Sequence, residues 1–180
     1  FLGKSRNATT GSQTVLQAND EIAVIKARGS DGGNLVDSSA IYFEVDGTPG
    51  SNDMPGRIAF GTAADGTTSI TERMRIDSSG NLLVGKTSTD AGDTAGVELR
   101  GGIGFAAISR SGDVVANFSR LTNDGNIVAF RKDSADIGHI GTEGTDLTIG
   151  SGGAGFQFLE SENKIRPFNM STNSASNGVV

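Results

Sequence analysis

The stretch from Thr71 to Gly85, Thr-Glu-Arg-Met-Arg-Ile-Asp-Ser-Ser-Gly-Asn-Leu-Leu-Val-Gly, constrains the fold more than any other. Side chains alternate across a strand, so Met74 and Ile76 share one face and Arg73 and Arg75 the other. Asp77-Ser78-Ser79-Gly80-Asn81 reads as a turn, because Asp and Ser bond their own backbone and Gly80 can take φ > 0. Leu82 and Val84 then return as a second strand. The residues argue a β-hairpin and carry no chemistry. Much of the remaining chain follows the same plan, with short alternating apolar runs separated by Gly-, Asn- and Asp-rich turns. That pattern predicts an all-β fold of short antiparallel strands in Gly-punctuated hairpin modules.

Taken in order, residues 1–20 are polar around Val15 and Leu16 and read as an extended arm or weak first strand. Glu21–Arg28 reads as a strand, with Ile22 and Val24 on one face and Ile25 on the other. A helix competes there, but Gly29-Ser30-Asp31-Gly32-Gly33 would stop it after two turns. Ala40–Val45 alternates Ile41, Phe43 and Val45 with Tyr42 and Glu44. Residues 51–56 are a loop, and Arg57–Phe60 is a strand with Ile58 and Phe60 in register. Lys86–Gly96 has no large apolar residue, which predicts a boundary. The expected organisation is an N-terminal β module with its arm over residues 1–86, a linker over 87–96, a second β module over 97–168 and a linker over 169–180.

In the second module Val97 and Leu99 alternate, as do Ile103 and Phe105. Val114, Ala116 and Phe118 alternate with Val115, Asn117 and Ser119. Strands are expected at Ile127–Arg131, Ile137–Ile140, Leu147–Ile149 and Phe156–Phe158, and Ile165 and Phe168 flank Pro167. An acidic turn followed by Gly-Asn-Leu or Gly-Asn-Ile occurs at Asp31, Asp77 and Asp124. Either a hairpin module is repeated or one turn chemistry is reused.

The chain of 180 residues holds 27 Gly and is 35% apolar, with nine Phe, one Tyr and no Trp. Glycine is at about twice its usual share of roughly 7%. So little bulky side chain gives a lone chain a thin core. The recurring β-branched and aromatic runs argue against disorder, so a core shared between chains is the better reading. A net charge of −6 disfavours nucleic acid, which needs a basic stripe. No apolar run approaches the roughly 20 residues of a membrane helix, so no membrane insertion is expected. The absence of Cys excludes disulfides and thiol chemistry.

Signals for catalysis are weak. Gly150-Ser151-Gly152-Gly153-Ala154-Gly155 matches the dinucleotide pattern G-x-G-x-x-G and follows a strand. That site needs a helix next and an acid about 20 residues on; Phe156-Gln157-Phe158 instead alternates like a strand, so a Gly-rich tight turn is expected. Gly102-Ile103-Gly104 is weaker still. His139 is the single histidine, with no nucleophile motif beside it. One His per chain cannot close a zinc site, so a metal role would require a threefold axis gathering three imidazoles. A glycosidase acid pair has no sequence mark, and aromatic platforms for sugar are scarce. No enzyme activity and no cofactor are expected.

The strings Phe43–Ile58 and Glu72–Gly85 are similar to a repeat found in tail-fibre proteins of tailed bacteriophages, especially those of marine and cyanobacterial hosts. Phe118-Ser119-Arg120, Asp124–Asp133 and Ile137–Glu143 resemble the segment that follows it, so the likeness covers about residues 40–170. It names no active residue. It implies an intertwined homotrimeric fibre, or β-sandwich or β-prism modules about a threefold axis. Such fibres or fibre-like adhesins sit on the virion tail, extracellular when mature, and serve host attachment. The implied partners are two further copies, other tail or virion proteins, and a glycan or protein receptor on the host surface. A purely structural virion connector is the alternative, and a glycan-cleaving tailspike a third. Resembling proteins continue into an intramolecular chaperone that directs trimerisation and is then cut off. That domain is not in these residues, and the start at Phe1 without Met suggests a piece of a longer product. Pooled around a threefold axis, Ile41, Phe43, Met74, Ile76, Phe118 and Phe130 are the expected core.

Overall fold

Most of the β-branched and aromatic runs form strands, separated by turns rich in Gly, Asn and Asp. The computed structural model describes residues 2–172, 174 and 175. Its strands are β1 (Glu21–Ser30), β2 (Leu35–Val45), β3 (Gly56–Ala63), β4 (Ile70–Ile76), β5 (Asn81–Val84), β6 (Gly96–Arg100) and β7 (Phe105–Ser109), then β8 (Gly125–Lys132), β9 (Ala135–Glu143), β10 (Asp146–Ser151), β11 (Ala154–Leu159), β12 (Lys164–Asn169) and β13 (Ser174–Ala175). The fold is all-β. One sheet runs β1-β2-β3-β4-β5-β6-β7 and the other β13-β12-β11-β10-β9-β8, with every neighbouring pair antiparallel. Both are meanders, the arrangement that short turns between antiparallel strands produce. Among the described residues no helix is long and apolar enough to cross a membrane.

The Thr71–Gly85 hairpin forms as the sequence predicts. Met74 pairs with Val84 and Ile76 with Leu82. Asp77 Oδ1 accepts from Ser79 N at 3.0 Å and Asn81 N at 2.9 Å, and Gly80 has φ 77°. Asp31 builds its turn in the same way: its Oδ1 accepts from Gly33 N at 2.8 Å and Asn34 N at 2.6 Å, with Gly32 at φ 97°. At the third echo the chain does something different, since Gly125 already opens β8 and Arg120 lies against it. The echo is therefore a turn chemistry used twice.

The structure departs from the sequence reading at several points. Of residues 87–96, expected as a linker, 87–95 connect β5 to β6 inside one sheet and Gly96 opens β6, and the division of the chain falls between Val115 and Ala116. The alternation Val114–Ser119 forms no strand, and residues 110–124 run without regular structure between β7 and β8. Of the expected linker 169–180, Asn169 ends β12 and Ser174–Ala175 form β13; residues 173 and 176–180 lie outside the described part. Ile103 sits in the turn before β7 rather than in a strand.

The N-terminal arm is tied down by backbone pairing. Asn19 N donates to Val45 O and Val45 N to Asp20 O, and Leu16 is buried. Asp20 also takes Arg6 at 2.6 Å.

Candidate assembly surface

The register of the first sheet lines up two unbroken apolar rows on one face. Ile25, Ile41, Phe60, Met74, Val84, Val97 and Ile108 stand opposite one another from β1 to β7. Beside them run Ala23, Phe43, Ile58, Ile76, Leu82, Leu99 and Ala106, two residues along each strand and so on the same face. None of these side chains is buried, and Ile25 is 58% exposed, Ile108 49% and Ile76 41%. Ser39, Thr62 and Thr71 border the rows along one side. A bulge in β4 brings Arg73 to that border, where its Nε donates to Thr62 Oγ1 at 3.1 Å. Arg73 and Arg75 thus part company, contrary to simple alternation.

The opposite face is polar, ion-paired and closed. Arg57 Nε donates to Glu44 at 2.8 Å, and Arg75 Nε to Glu72 at 2.5 Å. Lys86 folds back from the β5–β6 connection to reach Glu98 Oε2 at 2.9 Å, with Asp90 also on its Nζ and Arg100 on the other Glu98 oxygen. Glu98 is 1% exposed, and Ala40, Ala59 and Leu83 are buried on the same face. Burial pushes the Glu98 carboxyl up. Hydrogen bonds from Lys86, Asp90 N and Arg100 outweigh this and hold it at about 2. Asp90 is likewise held well below the usual carboxylate range, chiefly by Lys86.

The sheet is thus the reverse of a sheet in an ordinary monomer, where apolar residues face in and charges face out. The second sheet repeats the inversion. Val128, Ile140, Ile149, Phe156 and Pro167 form one cross-strand row, and Leu147, Phe158 and Ile165 another. Phe156 is 48% exposed and Ile165 62%, whereas Thr148 and Gln157 on the other face are buried. Gln157 is held there by Asp146 at 2.9 Å and Arg166 at 2.8 Å.

Of the six expected core residues, Ile41, Phe43, Met74 and Ile76 lie together on the open face of the first sheet. Phe130 lies on the open face of the second and is 50% exposed. Phe118 belongs to neither sheet and is 66% exposed in the segment between β7 and β8. His139 pairs across from Ala129 and Gly150, on the face opposite Phe130 and Ile140. Its Nδ1 is buried with no hydrogen-bond partner among the described residues. Among those residues no group of three or more His, Cys, Asp or Glu could hold a metal. The 150–155 glycine run is the β10–β11 hairpin: Gly150 faces Gly155, Gly152 has φ 53°, and the Met170 side chain lies over both facing glycines.

Sequence reasoning missed the Lys86–Asp90–Glu98 cluster. The signal was a charged residue between two apolar ones, Val97-Glu98-Leu99, which reads as a solvent-facing acid unless the apolar pair is itself the outer face.

No protein-family model and no curated protein sequence matches the chain.

Proposed function

We propose that the chain is a segment of a homotrimeric tail fibre, or fibre-like adhesin, of a tailed bacteriophage, and that it serves attachment to the host cell. The carrying observation is the inversion of both sheets. A continuous apolar face spanning seven strands at ~4.8 Å spacing is roughly 30 Å wide. Exposed patches larger than a few hundred Å2 mark interaction sites. The chain's apolar supply is concentrated on these faces, so covering them with further copies completes the core that one chain lacks. That the cover is further copies, and that they number three, comes from the resemblance over residues 40–170; the sheets supply the open apolar faces.

In such a fibre the ion-paired faces and the turns point outward. Receptor contact then falls to loops and to polar side chains, and three equivalent sites on one body gain strength through effective concentration. The partners are two more copies, neighbouring virion proteins and a surface glycan or protein of the host. The first test is mass in solution. Light scattering on the purified chain of 18.4 kDa is expected to give three times that mass, and a monodisperse folded monomer overturns the assembly. The second is function: added trimer should compete with phage for adsorption to host cells, and undiminished adsorption at saturating protein overturns the attachment role.

A further inference from the structure

The edge strands of the two sheets are not alike. β1 carries Lys26 and Arg28 and has register shifts towards both ends, and β8 carries Arg131 and Lys132 and also has two shifts. Charges and bulges are what natural edges use to refuse another strand. β7, Phe105-Ala106-Ala107-Ile108-Ser109, has no charge, no proline and no bulge. It pairs with β6 on one side and ends the sheet on the other.

A second observation supplies the missing partner. Val114-Val115-Ala116-Asn117-Phe118-Ser119 has the two-residue period of a half-buried strand, yet it belongs to no strand among the described residues. Val114 is 67% exposed, Phe118 66% and Leu121 89%. A strand-patterned segment without a sheet and a sheet edge without a defence stand in the same chain.

We infer that residues 114–119 of one copy add as an eighth strand to the β7 edge of a neighbouring copy. This inference rests on the association of copies proposed above. The placement extends the apolar face: Val114, Ala116 and Phe118 continue the rows that end at Ile108 and Ala106. Main-chain hydrogen bonds along the β7 edge supply affinity, and the alternate apolar side chains supply register. It also gives Phe118 a place in the shared core, which neither sheet of its own chain provides. A short connection, Arg110 to Asp113, with Gly112 at φ 79°, separates the two segments, so pairing within one chain is the competing arrangement.

The chain has no cysteine, which makes disulfide trapping clean. Two singly substituted proteins are made, Ala106→Cys with a size tag and Val114→Cys, Ala116→Cys or Phe118→Cys without one. They are co-expressed in one cell, purified together through the tag and oxidised. Neighbouring strands bring paired Cα atoms to about 4.5–5.5 Å, within disulfide reach. The expected result is a tagged–untagged dimer on a non-reducing gel for at least one of the three partners, with the assembled mass unchanged. Assembled protein that gives no such dimer with any partner overturns the inference and leaves the assembly intact. A doubly substituted chain that closes its disulfide only within itself also overturns it, in favour of the hairpin in one chain. Failure of every variant and of the unsubstituted chain to exceed monomer mass overturns the assembly reading and this inference with it.

Discussion

Lys86 Nζ lies 2.9 Å from Glu98 Oε2, and the two side chains are 3% and 1% exposed. The lysine comes from a stretch with no large apolar residue, and the acid from the middle of β6. Their pairing pins the connection between β5 and β6 against the closed face of the first sheet. Asp90 completes the clamp by accepting from Gly92 N at 3.0 Å and Thr94 N at 3.1 Å.

Removing the cation alone should therefore cost more than an exposed ion pair would. Lys86→Met leaves Glu98 buried with only Arg100 and a backbone donor, and breaking one side of a buried pair is strongly destabilising. The melting temperature is expected to fall by several degrees, and Lys86→Met combined with Glu98→Gln is expected to recover part of the loss. Calorimetry on the three proteins checks this; equal melting points for wild type and Lys86→Met would show that the clamp contributes nothing.

The same cluster sets an acid limit. Glu98 titrates at about 2 in the folded chain against an ordinary 4.5, so its folded pKa is depressed. A depressed carboxyl adds stability that is present above the unfolded pKa and is lost as pH falls through the folded one. Asp90 and Asp20, held low by Lys86 and Arg6, act in the same direction. Stability should be flat from pH 7 down to about 5 and decline from about 4.5 to 2. Glu98→Gln should flatten that decline while lowering stability at neutral pH. A melting temperature that rises on acidification contradicts the assignment.

Glycine at Gly150 is required by contact rather than by backbone angle. A Cβ there would collide with Ala154 O and stand 2.5 Å from Gly155 Cα and 2.8 Å from Met170 Cγ. Two of these three are backbone atoms and cannot swing away. Gly150→Ala should cost about 1–3 kcal/mol, the usual range for overpacking. Gly66→Ala serves as a comparison of another kind: it meets nothing within 4 Å but strains a φ of +78°. Denaturant melts of the two variants check the difference, and a neutral Gly150→Ala would mean that the β10–β11 hairpin opens at little cost.

Much of this fold was legible because turn and strand chemistry are local. Asp77 and Gly80 specify their hairpin within five residues, and the alternation of Ile41 with Phe43 and of Met74 with Ile76 marks each strand without knowledge of its partner. What alternation cannot say is which face meets solvent. Val97-Glu98-Leu99 and Phe156-Gln157-Phe158 read as apolar-in, polar-out, and in the single chain they lie the other way round. The decision is made by Lys86 and Arg166 reaching over from other segments, which is non-local. The Val114–Ser119 alternation misled for a related reason: period two marks a strand's side chains but supplies no neighbour for its backbone. The placement of Lys86 was illegible because its neighbours are small and polar, the composition of a linker.

The open and closed faces make opposite predictions for one substitution at two sites. Ile76 and Leu83 lie on adjacent strands, β4 and β5. Ile76 is 41% exposed on the open face and Leu83 is fully buried on the closed one. In a single chain, Ile76→Asp puts its carboxylate in water and should leave the sheet folded. In an assembly it places an unpaired charge in apolar surroundings, which costs several kcal/mol unless a partner is found. Ile76→Asp is therefore expected to yield a folded monomer with the strand signature of the parent in circular dichroism. Leu83→Asp buries the charge within the chain itself and should abolish folding whether or not copies associate. Light scattering and circular dichroism on both variants separate the cases. Assembly of Ile76→Asp to the parent's mass would show that this face is not the shared core. Unfolding of Ile76→Asp alongside Leu83→Asp would instead show that the sheet cannot stand without its partners, making folding and association a single step.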